Sequence, residues 1–135
     1  MILAVGIDTV HLPSFRDQLA DPASAFVLGT FTAAERVASA HRPSGDVARH
    51  LAARFAAKEA FVKAWDGAYW GKEPLIERAD LGEIEVVSDP WGRPALQLHG
   101  AVAAAVAKLG PVRACVSLSH DGDHAVAVVT LEGTP

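Results

Sequence analysis

RFAAKEAFVKAW, residues 54–65, decides how this chain reads. At about 100° per residue, Leu51, Phe55, Val62 and Trp65 fall on one apolar stripe of a helix, with Lys58 inside it. Asp46 is placed to cap the helix, which runs through Trp65 and stops near Asp66-Gly67. A lysine among core positions either snorkels to the surface or meets an anionic partner. Glu59 and Lys63 lie four apart, on a face lined by Ala52, Ala56 and Ala60. They are either a solvent-exposed ion pair worth about 0.3–0.5 kcal/mol, or a carboxylate that holds a divalent metal beside an ammonium that meets phosphate.

Upstream, the spacing of Thr32 and Glu35 predicts a capping box and a helix ending before Arg42-Pro43-Ser44-Gly45, with a short helix over Pro13 to Ala20. Ile2 to Ile7 reads as a buried strand that delivers Asp8 at its C-terminal end. Downstream, Ala68 to Gly82 reads as a loop with one helical turn. Ile84 to Ser88 and Ala95 to Leu98 read as strands about a Pro- and Gly-rich turn, and Gly100 to Leu109 as an Ala-rich helix. Val112 to Leu118 and His124 to Leu131 flank Asp121-Gly122-Asp123 as a terminal hairpin. The expected fold class is α+β, one long helix packed on a small, mainly antiparallel sheet.

With 135 residues, half of them hydrophobic, the expectation is a single domain over residues 1–135 with a real core. The longest uncharged stretches, Pro22 to Ala34 and Pro94 to Ala107, are too short and too polar to span a membrane. A lone Cys115 and the absence of a leader pattern at the N-terminus point to the cytoplasm. A formal charge of -4 speaks against nucleic acid or an anionic membrane as partner. Yet Phe31 to Lys63 carries six basic residues against three acidic, whereas Asp66 to Arg93 carries three against seven. An anionic ligand would be met by the first segment.

Asp8 with Glu59 makes a carboxylate pair suited to Mg²⁺, although an Asp at a strand end equally caps the next turn. His120, in VSLSHDGDH, is either a strand-end ligand contact or a surface histidine, and Gly92-Arg93-Pro94 is either a contact or a plain turn. There is no P-loop, no Gly-x-Gly-x-x-Gly after a strand, and no zinc spacing of Cys and His.

Together GID at 6–8, FTAAE at 31–35, RFAAKEAFVKAW at 54–65, WGRP at 91–94 and SLSHDGDHAVAVV at 117–129 resemble the holo-[acyl-carrier-protein] synthases among the 4'-phosphopantetheinyl transferases, in that family's order. The first helix and the loop from Trp65 to Pro74 are similar to actinobacterial members. The resemblance implies transfer of the phosphopantetheine arm from coenzyme A to a serine of an apo acyl carrier protein or carrier domain, with release of adenosine 3',5'-bisphosphate. It implies Mg²⁺ on Asp8 and Glu59, Glu59 as the base for the serine, and Lys63 as the cation that neutralises the leaving phosphate. It also implies coenzyme A contacts at Arg54, Lys58, Lys63, Arg93, Pro94, Ser119 and His120, and a homotrimer with active sites between subunits.

Two departures stand out. Ser14 occupies the place where many members carry an arginine for docking the acidic carrier, which leaves Arg16, Arg36 and Arg42 as candidates. Asp66-Gly67-Ala68 replaces the family's Gly-Thr-Gly after Trp65. A Mg²⁺-dependent phosphoesterase using the same carboxylates, or a coenzyme A or carrier-binding module without turnover, are the competing readings.

Overall fold

The Asp46 carboxylate accepts the backbone N–H of Arg49 and so starts the helix Val47–Gly67 (α4), 21 residues long. The computed structural model describes residues 1–74 and 77–133, and α4 is its axis. The most deeply packed face of α4 is made of alanines: Ala52, Ala56, Ala57, Ala60 and Ala64 are fully excluded from solvent. Strand Ile2–His11 (β1) lies across this face at Gly6, where a Cβ would stand 1.9 Å from the Ala60 carbonyl oxygen. Only glycine lets strand and helix meet backbone to backbone here.

β1 is one edge of a three-stranded antiparallel sheet whose centre is His124–Gly133 (β5) and whose other edge is Val112–Asp121 (β4). Ala125, Ala127, Val129 and Leu131 of β5 alternate inward onto α4 and are buried. Val5 and Ile7 of β1 and Val128 of β5 point the other way and are exposed. Strands Ile84–Ser88 (β2) and Pro94–Leu98 (β3) form a separate antiparallel pair.

On the remaining side of α4 lie three short helices, Leu12–Ala20 (α1), Phe26–Thr30 (α2) and Ala33–Ala40 (α3). Phe15, Phe26, Phe31 and Phe55 stack there in edge-on and tilted pairs. The capping box is complete: Thr32 Oγ1 accepts the Glu35 N–H and Glu35 Oε1 accepts the Thr32 N–H. Helix Gly100–Val106 (α5) closes the chain onto β4 through a 3-10 turn, Ala107–Leu109.

The architecture is the expected α+β arrangement, with four differences of detail. β1 does not end at Asp8 but continues to His11, because β5 pairs with it out to His124; Asp8 is therefore a mid-strand residue. The first strand is covered on one face only. The alanine face on which Glu59 and Lys63 were placed is the sheet contact, so α4 is buried on two faces, alanines against the sheet and the larger stripe against the helices. α2 has no counterpart in the sequence reading. Its five residues hold no acidic first turn or basic last turn, and no side chain caps them. In the expected loop from Ala68 to Gly82, the described residues are turns, bends and irregular backbone up to the 3-10 turn Leu81–Glu83, and positions 75 and 76 lie outside them.

Candidate active site

Because side chains alternate along β1, Asp8 shares the inward face with Gly6 and Val10 and is carried toward α4. Lys63, at the margin of the alanine face, reaches across to it: Nζ donates to Asp8 Oδ1 at 3.0 Å and to the Ile7 carbonyl at 3.0 Å. The Lys63 side chain is 55% exposed and that of Asp8 17%, so the pair opens to solvent from the lysine side. Glu59 lies one helical turn before Lys63. Its carboxyl is held above the usual range, first by burial and second by the Asp8 charge, with Lys63 pulling it back. Asp8, Glu59 and Lys63 thus form one electrostatic unit, and Lys63 pairs with Asp8 rather than with Glu59. Among the described residues no three His, Cys, Asp or Glu side chains converge.

A second group of predicted residues gathers elsewhere. Arg54, Pro94, Ser119 and His120 line a cleft of about 430 Å³ between the first half of α4, the turn before β3 and the end of edge strand β4. Arg42, Arg49 and His50 line it too. Sequence reasoning treated Arg42 as a docking residue and did not single out Arg49 or His50; the signal for them was the positive balance of the segment from Phe31 to Lys63. Crowding by Arg42, after burial, lowers the Arg54 guanidinium to about 10. Burial, then the charges of Arg54 and Arg42, push the His50 imidazole down to about 4, and its Nδ1 is hydrogen-bonded to Ser39 Oγ. Asp46 is the one carboxylate in the lining, and Arg16 Nη2 lies 3.1 Å from it. Three guanidiniums give the cleft a positively charged lining. Arg93 turns outward, ion-paired to Asp89 and stacked 5.1 Å from the Trp91 ring, while its neighbours Gly92 and Pro94 supply the wall.

Lys58 requires a correction. Expected at coenzyme A, its ammonium has no exposed surface and all three donors are used, on Glu35 Oε1 at 2.7 Å, the Leu81 carbonyl at 2.9 Å and the Ile84 carbonyl at 2.7 Å. Of the two alternatives for a lysine in an apolar stripe, the chain realises the anionic partner, and that partner is its own Glu35.

Residues 4–129 match the family model described as the 4'-phosphopantetheinyl transferase superfamily. The chain belongs to that superfamily. It is 47% identical over 131 residues to the holo-[acyl-carrier-protein] synthase of Mycobacterium ulcerans, covering 97% of each chain. Against the enzyme of the same name from Corynebacterium efficiens it is 44% identical over 133 residues, covering 96% of this chain and 94% of that one. A solved structure described as a Chronobacterium ammoniagenes ACPS-CoA complex superposes with a TM-score of 0.89 at 47% identity, covering 98% of both chains. The Mycobacterium tuberculosis acyl carrier protein synthase superposes at 0.77 with 44% identity, covering 99% of this chain and all of that one. These relatives are actinobacterial, in line with the expectation drawn from the first helix and the loop after Trp65. This chain is therefore a phosphopantetheinyl transferase, and no described helix is long and apolar enough to cross a membrane.

Proposed function

We infer that this transferase moves the 4'-phosphopantetheine arm from coenzyme A to a serine of an apo acyl carrier protein in the cytoplasm, with Mg²⁺, releasing adenosine 3',5'-bisphosphate. The observation that carries the reading is the unit of Asp8, Glu59 and Lys63: two adjacent carboxylates, one partly desolvated, beside an exposed ammonium. Hard oxygen donors of this kind suit a small divalent cation that completes its shell with phosphate oxygens. Asp8 and Glu59 would hold it, and when bound it offsets the charge of the pyrophosphate.

The chain's own groups then divide the chemistry. The serine oxygen forms a bond to the phosphorus that bears the pantetheine arm. The bond from that phosphorus to the bridging oxygen breaks, and its electron pair leaves with adenosine 3',5'-bisphosphate. Glu59, the carboxylate beside Asp8, accepts the serine proton, directly or through water. Lys63, turning from Asp8, meets the negative charge that grows on the leaving phosphate. Arg54, with Arg42 and Arg49, supplies guanidiniums for the remaining phosphates, and Pro94, Ser119 and His120 border the same cleft. Arg93, with its guanidinium turned outward, reaches coenzyme A only by leaving Asp89.

Arg54 and Glu59 are five residues apart on α4, about 140° around the helix. The cleft of Arg54 and His120 contains none of Asp8, Glu59 and Lys63. One coenzyme A would join the two groups if they came from neighbouring copies, and the exposed face of Val5, Ile7 and Val128 is an apolar surface for such packing. This supports a homotrimer with sites between subunits.

Incubation of an apo carrier protein with coenzyme A, Mg²⁺ and the enzyme, followed by mass spectrometry, tests the function. A phosphopantetheine mass gain is expected. Hydrolysis of coenzyme A alone would mean a phosphoesterase, and neither change would mean a binding module.

A further inference from the structure

A cleft of about 580 Å³ opens beside Glu59, and its walls come from three places: Gly29 and Thr30 at the end of α2, Glu59 and Val62 on α4, and the segment from Glu77 to Leu81. All three walls are rooted in one buried ion pair. Lys58 is the chain neighbour of Glu59, and two of its three hydrogen bonds go to the carbonyls of Leu81 and Ile84, at either side of the 3-10 turn Leu81–Glu83. Glu35, its ionic partner, accepts the Thr32 N–H two residues beyond Thr30 and the Val86 N–H at 2.9 Å on β2. The Phe31 ring lies 5.5 Å from the ammonium and closes the site from the α2 side.

Two of the three Lys58 donors and both oxygens of Glu35 are therefore spent on fixing backbone, and the third donor joins the two side chains. A buried pair of this kind is a weak source of stability, since apolar residues of similar volume often do as well. What it supplies that an apolar pair does not is direction, because each bond specifies where a carbonyl or amide must stand. Asp80, whose carboxylate accepts the Gly82 N–H, and Leu81 hang from that anchor and face Glu59 across the cleft.

We propose that Lys58 and Glu35 are positioning residues for catalysis, a buried clamp that holds the 77–84 wall and the α2 end at a set distance from Glu59. The proposal rests on the transferase reading of Glu59 and adds to it residues that touch no substrate. Displacing one wall of a site by about 1 Å can cost roughly 10²-fold in rate when reacting groups must align.

The double substitution Glu35→Leu with Lys58→Met fills the site with apolar groups and leaves no unpaired charge. It is expected to stay folded, to lower kcat about tenfold or more, and to leave the KM for coenzyme A within about threefold. Hydrogen exchange should speed up at the amides from Leu81 to Val86 and not in β5. If the double variant does not fold, Glu35→Asp decides: its shorter carboxylate keeps the charge but cannot reach both Lys58 and the Val86 amide, and the same kcat-selective loss and local exchange are expected. Parental kcat and unchanged exchange in whichever variant folds would overturn the proposal. Absence of phosphopantetheine transfer by the parent enzyme would overturn the transferase reading instead, and the exchange measurement would still decide whether the clamp holds the wall.

Discussion

Lys63 Nζ lies 3.0 Å from Asp8 Oδ1, joining the middle of the first strand to the last third of the long helix across 55 residues of chain. The contact is exposed on the lysine side, so its contribution to stability is small, of order 0–1 kcal/mol. In the proposed reaction its weight is in the chemistry. Lys63→Ala is expected to lower kcat roughly 10²-fold, comparable to loss of an oxyanion donor, and to raise the KM for coenzyme A much less. Steady-state kinetics read the split, and a pure KM effect would remove Lys63 from the transition state.

Glu59 tests the carboxylate pair without turnover. Its folded-state pKa is raised above 4.5 by burial and then by Asp8. A raised carboxyl contributes stability that is present below the unfolded pKa and is lost as pH rises through the folded value, so the ionised form is a burden at neutral pH. Glu59→Gln should therefore melt at a higher temperature than the parent at pH 7 without divalent cations, and the gain should vanish below about pH 4. Added Mg²⁺ should raise the melting temperature of the parent and leave Glu59→Gln unmoved. Equal responses of the two proteins would show that Glu59 does not bind the metal.

What the sequence made legible was local. The Thr32 and Glu35 box, the Asp46 cap, both hairpins and the long helix each depend on residues within a few positions, and all appear where expected. The errors lie where distant segments decide. β1 extends past Asp8 only because β5 continues beside it, and Lys58 is buried because Glu35, Leu81 and Ile84 converge on it from three other segments. The role of the alanine face follows the same rule, since periodicity reports that Ala52, Ala56 and Ala60 share a face but not that a glycine strand lies against it. Spacing left open whether Glu59 and Lys63 form an ion pair with each other, and the contact that forms is between Lys63 and Asp8, a strand residue distant in sequence.

His50 offers a pH test of the basic cleft. Its imidazole is held near 4, against an ordinary value of 6.5, by burial and by Arg54 and Arg42. A depressed pKa means stability that is present above the unfolded value and lost as pH falls through the folded one. The parent is expected to lose stability between pH 6.5 and about 4, and His50→Gln to lose markedly less over that interval. Proton NMR should find His50 neutral at pH 5.5. A titration near 6.5 would mean that His50 is neither buried nor crowded by the guanidiniums as described.

Val5, on the uncovered face of the first sheet and 63% exposed, tests the assembly. Val5→Asp adds a charge where copies would pack and touches neither group of site residues. Sedimentation should show a shift to monomer with unchanged circular dichroism, and transfer activity should fall with it. An active monomer would place the whole site in one chain.

Carrier docking is where the resemblance implies a departure, an arginine being expected at the place of Ser14. The Ser14 hydroxyl is 2.8 Å from His11 Nδ1. Arg16 is exposed but paired with Asp46, whose carboxyl it holds below the usual range together with the Arg49 backbone, and Arg42 lines the basic cleft. Arg36 is the remaining candidate: it is half-buried on α3, tied to the Phe31 carbonyl at 3.0 Å, and has no carboxylate partner among the described ion pairs. An acidic carrier would be steered to it by long-range attraction, which acts on association and is screened over roughly 8 Å at physiological salt. Arg36→Glu is expected to raise the KM for the carrier several-fold and to leave that for coenzyme A unchanged, and added salt should reproduce the effect in the parent. Arg16→Gln, which removes a charge already compensated by Asp46, should change carrier kinetics less. If Arg36→Glu and salt both leave the carrier KM where it was, docking is apolar, and the exposed Leu28 and Val37 on the neighbouring helices become the residues to change.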